Sequence, residues 1–158
     1  MIRLLKSRCL FFLFVLITVA FGNHAEAQKS GNGFGVIIGE PTGLSGKFWT
    51  SEKNAVDVGV AWSFIHEGSF HLHVDYLWHS FDVFKTNQPI ALYYGVGGRM
   101  KASNSHGGNL GVRGTVGLDY FVADAPIDVF IEAAPIMDLT PSTELQFNGG
   151  IGFRFFFK

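Results

Sequence analysis

The stretch NAVDVGVAWSF, residues 54–64, indicates the fold class of this chain. Bulky apolar side chains occupy every second position, and small or acidic residues lie between them. Successive side chains of a β-strand point to opposite faces, so this period of two predicts a strand with one wholly apolar face. The apolar members are Val56, Val58, Val60, Trp62 and Phe64.

The same alternation continues along the rest of the chain, and no helical period competes with it after residue 27. Strands are predicted over residues 33–39, 44–50, 54–64, 69–81, 89–101, 110–121, 127–137 and 144–157. The connecting segments are short and rich in Gly, Pro, Ser and Asn, which favours antiparallel hairpins between consecutive strands. We therefore predict an all-β fold of eight antiparallel strands in up-and-down order.

The composition supports this prediction and excludes several other classes. A length of 158 residues suits one domain, and a single cysteine excludes a disulfide scaffold. The formal net charge is −1, and no basic cluster follows the first eight residues, so no nucleic-acid partner is expected. The 20 glycines would weaken helices, and the 17 phenylalanines suggest a protein that faces an apolar medium.

The first 27 residues have the organisation of a secretory signal peptide. Arg3, Lys6 and Arg8 form a basic start, residues 9–21 are uncharged and mostly apolar, and the triplet AEA ends at Ala27. This order predicts cleavage after Ala27 and a mature domain of residues 28–158. As a helix the apolar run would rise about 20 Å, which is short of a hydrocarbon core of about 30 Å.

The second face of the predicted strands is polar but has little side-chain volume. It consists of Gly, Ala, Ser and Thr with single charged residues or histidines between them. The hairpin registers that fit this pattern pair Phe64 with Phe70, Met100 with Leu110 and Glu132 with Asn148. They place large polar side chains opposite small residues, which is how a narrow barrel interior is filled. The polar face is therefore predicted inside a barrel, and the apolar face outside against lipid.

A closed barrel satisfies its backbone groups in lipid, and eight strands is the smallest common size of such barrels. So narrow an interior holds only side chains, which argues against a general porin. Buried charges of opposite sign must pair, so we expect an ion-pair network in the lumen. Its expected members are Arg99, Arg113, Asp119, Asp128, Glu132 and Arg154.

The closing residues GGIGFRFFFK (149–158) resemble the carboxy-terminal insertion signal of small eight-stranded outer-membrane β-barrels of the OmpA-transmembrane and OmpX type. The matching aromatic positions are Phe153, Phe155 and Phe157, whereas Lys158 departs from the pattern by following the last aromatic residue. The stretches GVIIGEPTGLSGKFW, LHVDYLWH, YYGVGGR, LGVRGTVGLDY and APIDVFIEAAPI are also similar to a poorly characterised family of short-loop barrels from spirochaetes and related diderm bacteria.

This resemblance implies an outer-membrane location and insertion by the barrel-assembly machinery. It also implies contact with outer-membrane lipid, and it brings no agreed activity and no cofactor. We expect a monomer with a structural or surface-interaction role rather than catalysis.

Three residues on the predicted polar face have a spacing that metal sites use. His71, His73 and Asp75 recur every second residue, about 7 Å apart along a strand. Such groups bind metals in proteins. They also satisfy one another by hydrogen bonding in a closed lumen, which is the interpretation we favour, so no metal is expected.

Two alternative functions remain open at this point. A lipid-modifying outer-membrane enzyme would need a nucleophile, and the candidates are the pair His79–Ser80 and the loop residues Ser103, Ser105 and His106. None of them lies in a recognisable nucleophile motif, so we expect no enzyme. A soluble periplasmic barrel of the calycin type, binding a small apolar ligand, would need an apolar lumen and a polar exterior.

Overall fold

A computed structural model describes residues 30–40, 42–63, 69–103 and 107–157. The predicted signal peptide with its cleavage after Ala27 lies outside these residues, as do Phe64, Ser105, His106 and Lys158. Within the described ranges, no helix is long and apolar enough to cross a membrane.

Eight antiparallel strands form a closed barrel, and each strand pairs with its neighbours in the chain. The barrel closes where β8 pairs with β1. The predicted all-β up-and-down fold is therefore confirmed. The strands are β1 (Asn32–Glu40), β2 (Thr42–Trp49), β3 (Asn54–Ser63), β4 (Ser69–Ser80), β5 (Ile90–Ser103), β6 (Gly107–Phe121), β7 (Ile127–Thr140) and β8 (Glu144–Phe157).

One of the three predicted hairpin registers is confirmed, and two are wrong by two residues. Met100 lies opposite Leu110, as the sequence indicates. Trp62 rather than Phe64 lies opposite Phe70, and Gly150 rather than Asn148 lies opposite Glu132. β3 ends at Ser63, one residue before the predicted end, and β7 continues to residue 140, three residues past the predicted end. An even slip keeps every side chain on its predicted face, because side chains alternate with a period of two.

The buried charged side chains lie inside the barrel and the outer wall is apolar, as predicted, and the interior also holds apolar side chains such as Leu77. Along β7, Asp128 and Phe130 are buried, whereas Ile131 has 55% of its surface exposed on the outer wall. The same inversion holds on the other strands. The outer wall carries aliphatic and aromatic side chains. Among the described residues, thirteen aspartate, glutamate, lysine, arginine and histidine side chains on β2 to β8 are buried.

Glycines on the inner face leave room for large side chains of the neighbouring strands. Gly117 lies opposite Tyr93, and a Cβ added at Gly117 would collide with the Tyr93 ring and come within 2.5 Å of the Ile131 carbonyl oxygen. Gly114, on the outer face of the same strand, has Pro135 Cγ at 3.9 Å as its nearest neighbour. Small residues are therefore required inside the barrel, where space is limiting.

The barrel wall is taller on one side than on the other. β1 and β2 span 9 and 8 residues, whereas β5 to β8 span 14 or 15. The β1–β8 ladder ends where Glu40 lies opposite Gly149. Residues 144–148 of β8 are therefore paired with β7 alone among the described residues. We call this segment the free edge of β8.

Candidate functional site

The described residues form three groups of ion-paired side chains in the lumen. The first lies at the barrel end that carries the chain termini, and we call it the termini-side cluster. Arg154 Nη1 donates to Asp57 Oδ1 at 2.5 Å, Nη2 to Asp119 Oδ1 at 3.1 Å, and Nε to Asp128 Oδ1 at 3.1 Å. The guanidinium carbon lies 3.9 Å from the centre of the Phe130 ring. One buried arginine on β8 thus joins β3, β6 and β7.

Lys47 on β2 is the second cation of the termini-side cluster. Its ammonium forms an ion pair with Asp119 and lies 3.7 Å from Asp128 Oδ2. It also lies 5.1 Å from the centre of the Trp49 ring and 5.2 Å from that of Tyr93. Lys47 is fully buried, so both its charge and its stem belong to the interior of the barrel.

The central cluster is organised by Arg113 on β6. Its Nε donates to Asp75 Oδ2 at 2.6 Å, and its Nη2 donates to Glu132 Oε1 at 2.8 Å. The Thr115 hydroxyl donates to the same Asp75 oxygen at 2.8 Å, and the Tyr93 hydroxyl donates to Glu132 Oε2 at 3.2 Å. The two carboxylates therefore share the Arg113 guanidinium, and each also accepts a hydrogen bond from one hydroxyl.

The loop-side cluster lies toward the opposite end of the barrel. Arg99 Nη2 donates to both oxygens of Asp138, at 2.6 and 2.7 Å, and to Gln146 Oε1 at 3.1 Å. Asn109 Nδ2 also donates to Asp138, at 3.1 Å. These contacts connect β5, β6, β7 and β8 across the lumen.

The six residues of the expected network all lie in the lumen, but some of their ion-pair partners are residues outside the expected set. Arg113 meets Glu132, and Arg154 meets Asp119 and Asp128. Arg99 pairs with Asp138, which the sequence analysis did not single out. The cluster members Lys47 and Asp57 are likewise absent from the expected network. Lys47 and Asp57 are charged residues on the predicted small-residue face, whereas Asp138 lies just beyond the predicted strand 127–137.

The three metal-ligand candidates share the inner face of β4, and each has a different partner. His71 Nε2 lies 3.2 Å from Ser69 Oγ, His73 Nε2 lies 3.7 Å from Asp57 Oδ2, and Asp75 accepts from Arg113. Among the described residues, no group of three or more His, Cys, Asp or Glu side chains is arranged to hold a metal ion.

Aromatic side chains fill the lumen at the termini side. The Trp49 ring lies 4.4 Å from His79, and the rings of Phe81 and Phe121 are 5.9 Å apart. Phe121 and Phe156 are each 2% exposed. His79 Nε2 lies 3.2 Å from Asp119 Oδ2, so the aromatic layer is linked to the termini-side cluster. This end of the lumen is occupied by side chains.

Of the serine and histidine candidates for hydrolysis, His79 and Ser80 are successive residues of β4. Their side chains therefore point to opposite faces of the wall. His79 is buried inside, whereas Ser80 is half-buried on the outer side. Ser103 ends β5, and the other two candidates, Ser105 and His106, lie outside the described residues.

The residues of the expected insertion signal lie on β8 beside β1. Phe153 and Phe157 are half-exposed on the outer wall, and the rings of Phe155 and Phe157 are 4.8 Å apart. Phe157 also approaches Phe34 of β1, at 6.4 Å between ring centres. These aromatics therefore line the seam at which the barrel closes.

Two further aromatic groups lie on the outer wall at opposite ends. Trp78 stacks on Tyr94 at 5.9 Å on the termini side, and Trp62 contacts Phe70 at 6.0 Å on the loop side. In membrane barrels, aromatic girdles at this position mark the two interfaces.

No protein-family model and no curated protein matches this sequence. Among solved structures, the chain is similar to the N-terminal β-barrel domain of Pseudomonas aeruginosa OprF, with a TM-score of 0.57 and 12% sequence identity. The match covers 82% of this chain and 98% of that chain. The chain thus has the fold of an eight-stranded outer-membrane barrel domain, as the resemblance in its sequence implies.

Proposed function

We propose that this chain is an integral outer-membrane protein of a diderm bacterium with a side-chain-filled lumen. Its role is structural or surface-interacting rather than catalytic, and it is not a general porin. The observation that carries the proposal is the inverted polarity of the wall. Ionic side chains such as Lys47 and Arg154 are buried inside, while Val96, Ile131 and Phe153 are at least half-exposed outside.

The outer wall is the surface that a lipid bilayer would cover. Single exposed apolar residues are normal on soluble proteins, but large contiguous apolar patches mark interaction sites or membrane contact. Here exposed apolar side chains occur on all eight strands, so the apolar surface surrounds the barrel. The fold shared with the OprF barrel domain supports the same location.

The filled lumen argues against two functions known for barrels, which are binding of a small apolar ligand and diffusion through a pore. A calycin-type barrel needs an apolar cavity, whereas the three clusters place ion pairs across this interior. A diffusion pore needs a wide aqueous channel, which appears in barrels of many more strands. We therefore propose neither apolar-ligand binding nor general transport.

The proposal that the protein is not an enzyme rests on the ion pairs that acidic and basic side chains form in the lumen. Arg113 and Arg154 each contact more than one carboxylate. Groups held in such pairs contribute to packing and charge balance in a buried interior. We propose that the protein acts as a monomer without cofactor or nucleic-acid partner, in contact with outer-membrane lipid. The barrel-assembly machinery is its proposed partner during insertion.

The free edge of β8 is the feature that favours a surface-interaction role. Its outer side chains Leu145 and Phe147 are 60% and 70% exposed, and its β1-facing backbone groups have no strand beside them among the described residues. An open strand edge accepts an extended segment of another chain. Hydrogen exchange should be faster at residues 144–148 than at 150–156, and equal protection would remove this support.

Membrane fractionation of cells that express the full chain tests the proposal. We expect the protein in the outer-membrane fraction, released only by detergent, and running as a compact species on gels until it is heated. The matched measurement is conductance of the purified barrel in a planar bilayer, where we expect no steady porin-type current. A protein recovered in the soluble periplasmic fraction would contradict the membrane location, and a steady large current would contradict the filled lumen.

A further inference from the structure

A pocket of about 420 Å³ opens on the outer wall at the termini side of the barrel. It lies between the turn at residues 50–53, the end of β4 and the connection at residues 81–89. Its volume is within the range of small-ligand sites, roughly 300–1,000 Å³. The lining residues that matter here are Lys53, Trp78, Ser80, Asp82 and Tyr94.

The inner wall of the pocket is aromatic. The rings of Trp78 and Tyr94 stack with 5.9 Å between centres and 24° between planes, and Tyr94 is half-exposed. Tryptophan and tyrosine are enriched at the level where lipid headgroups begin. If the barrel spans the membrane as proposed above, this pocket lies beside the headgroups of the termini-side leaflet.

The rim of the pocket carries one positive and one negative side chain. Lys53 and Asp82 are both exposed, and Ser80 lines the same pocket. The turn that carries Lys53 is held in place, because the Lys53 carbonyl oxygen accepts from the His79 amide at 2.7 Å. His79 in turn contacts Asp119 in the termini-side cluster. The backbone of the turn that carries Lys53 is therefore tied to the end of β4.

We propose that this pocket binds the headgroup of phosphatidylethanolamine, and this inference rests on the proposed membrane location. Lys53 and Ser80 bind the phosphate, Asp82 accepts hydrogen bonds from the primary ammonium, and the two stacked rings pack on the glycerol and the first acyl carbons. Ion-paired hydrogen bonds of this kind are stronger than neutral ones.

The same geometry distinguishes this headgroup from other common phospholipids. Phosphatidylglycerol has no cation for Asp82, which would repel its phosphate. The quaternary ammonium of phosphatidylcholine has no N–H to donate and is recognised by cages of aromatic faces. Trp78 and Tyr94 stack on each other, so their inner faces are not available for such a cage.

The test is lipid retention by the folded full-chain barrel, measured by native mass spectrometry after exchange into detergent with each of the three lipids. We expect one molecule of phosphatidylethanolamine per barrel, retained at least tenfold more than phosphatidylcholine or phosphatidylglycerol. Lys53→Gln and Asp82→Asn should each lower this retention about tenfold. The controls Lys85→Gln and Asp124→Asn change exposed charges outside the pocket and should leave retention unchanged.

A charge reversal makes the test specific for the headgroup. Asp82→Lys should invert the preference, so that phosphatidylglycerol is retained above phosphatidylethanolamine. Soluble glycerophosphoethanolamine in excess should compete only weakly, because it lacks the acyl chains that reach the aromatic wall. Equal retention of the three lipids, or equal losses in pocket and control variants, would overturn the proposal. Failure to insert would be seen first on gels and would count against the membrane location instead.

Discussion

Replacing Arg113 should destabilise the barrel more than replacing either of its partners. Arg113 is the cation shared by Asp75 and Glu132, at 2.6 and 2.8 Å. Arg113→Met therefore leaves two buried carboxylates without a countercharge. Glu132→Leu leaves Arg113 still paired with Asp75, and it removes the acceptor of Arg113 Nη2 and of the Tyr93 hydroxyl.

The expected magnitudes follow from this asymmetry. Removing one partner of a buried ion pair costs about 3–5 kcal/mol, and Arg113→Met should reach about 5 kcal/mol because two carboxylates lose their partner. Glu132→Leu should cost less, about 1.5–3 kcal/mol, because the hydrogen bonds to a charged group are lost while Arg113 keeps Asp75 as its countercharge. The double variant Arg113→Met with Glu132→Leu should be more stable than Arg113→Met alone, since one stranded carboxylate is removed.

The assay is equilibrium unfolding of the barrel in urea with lipid vesicles, followed by tryptophan fluorescence and by the heat-dependent gel shift. All four members of the cycle are measured at the same lipid composition. A coupling energy that differs clearly from zero supports the pairing. Equal losses for the two single variants, or strictly additive losses in the double variant, would refute the reasoning.

Three other perturbations test the wall, the packing and the seam. Ile131→Arg on the outer face of β7 should cost about 2–4 kcal/mol by the same assay, whereas Leu139→Arg near the loop end should cost about 0–1 kcal/mol; equal costs would contradict the depth dependence. Gly117→Ala should cost about 1–3 kcal/mol because its methyl group meets Tyr93, while Gly114→Ala on the outer face stays near neutral. Should both glycine variants melt alike, the inner face is not space-limited. Deleting residues 155–158 should prevent assembly into the outer membrane, because it removes the strand beside Asn32–Phe34, whereas deleting residue 158 alone should be harmless; a folded, inserted truncation would disprove this.

The faces of the strands could be predicted from the sequence, because a period of two shows which side chains lie together. Val56, Val58 and Val60 are on one face whatever strand lies beside them. The registers follow less directly from the sequence, because a slip of two residues keeps every side chain on the same face. The predicted β5–β6 register, with Arg99 opposite Gly111, is confirmed, whereas the β3–β4 register differs from the prediction by two residues.

Partners across the lumen could not be predicted, because they depend on how the closed barrel brings distant strands together. Arg154 on β8 reaches Asp57 on β3, and Lys47 on β2 reaches Asp119 on β6. Neither pair consists of neighbouring strands. Asp138 lies one residue beyond the predicted end of the seventh strand at residue 137, whereas β7 continues to Thr140.

The central claim is that lipid surrounds the apolar wall, and site-directed spin labelling tests it most directly. Single cysteines at Val96, Ile131 and Ile151, each more than half-exposed on a different strand, would carry the label in a background without Cys9. We predict frequent collisions with oxygen and few with a water-soluble nickel complex at all three positions. A label at the exposed connection residue Lys85 should show the reverse. If the three wall positions collide with the nickel complex as often as position 85 does, water rather than lipid covers the wall, and the account is contradicted.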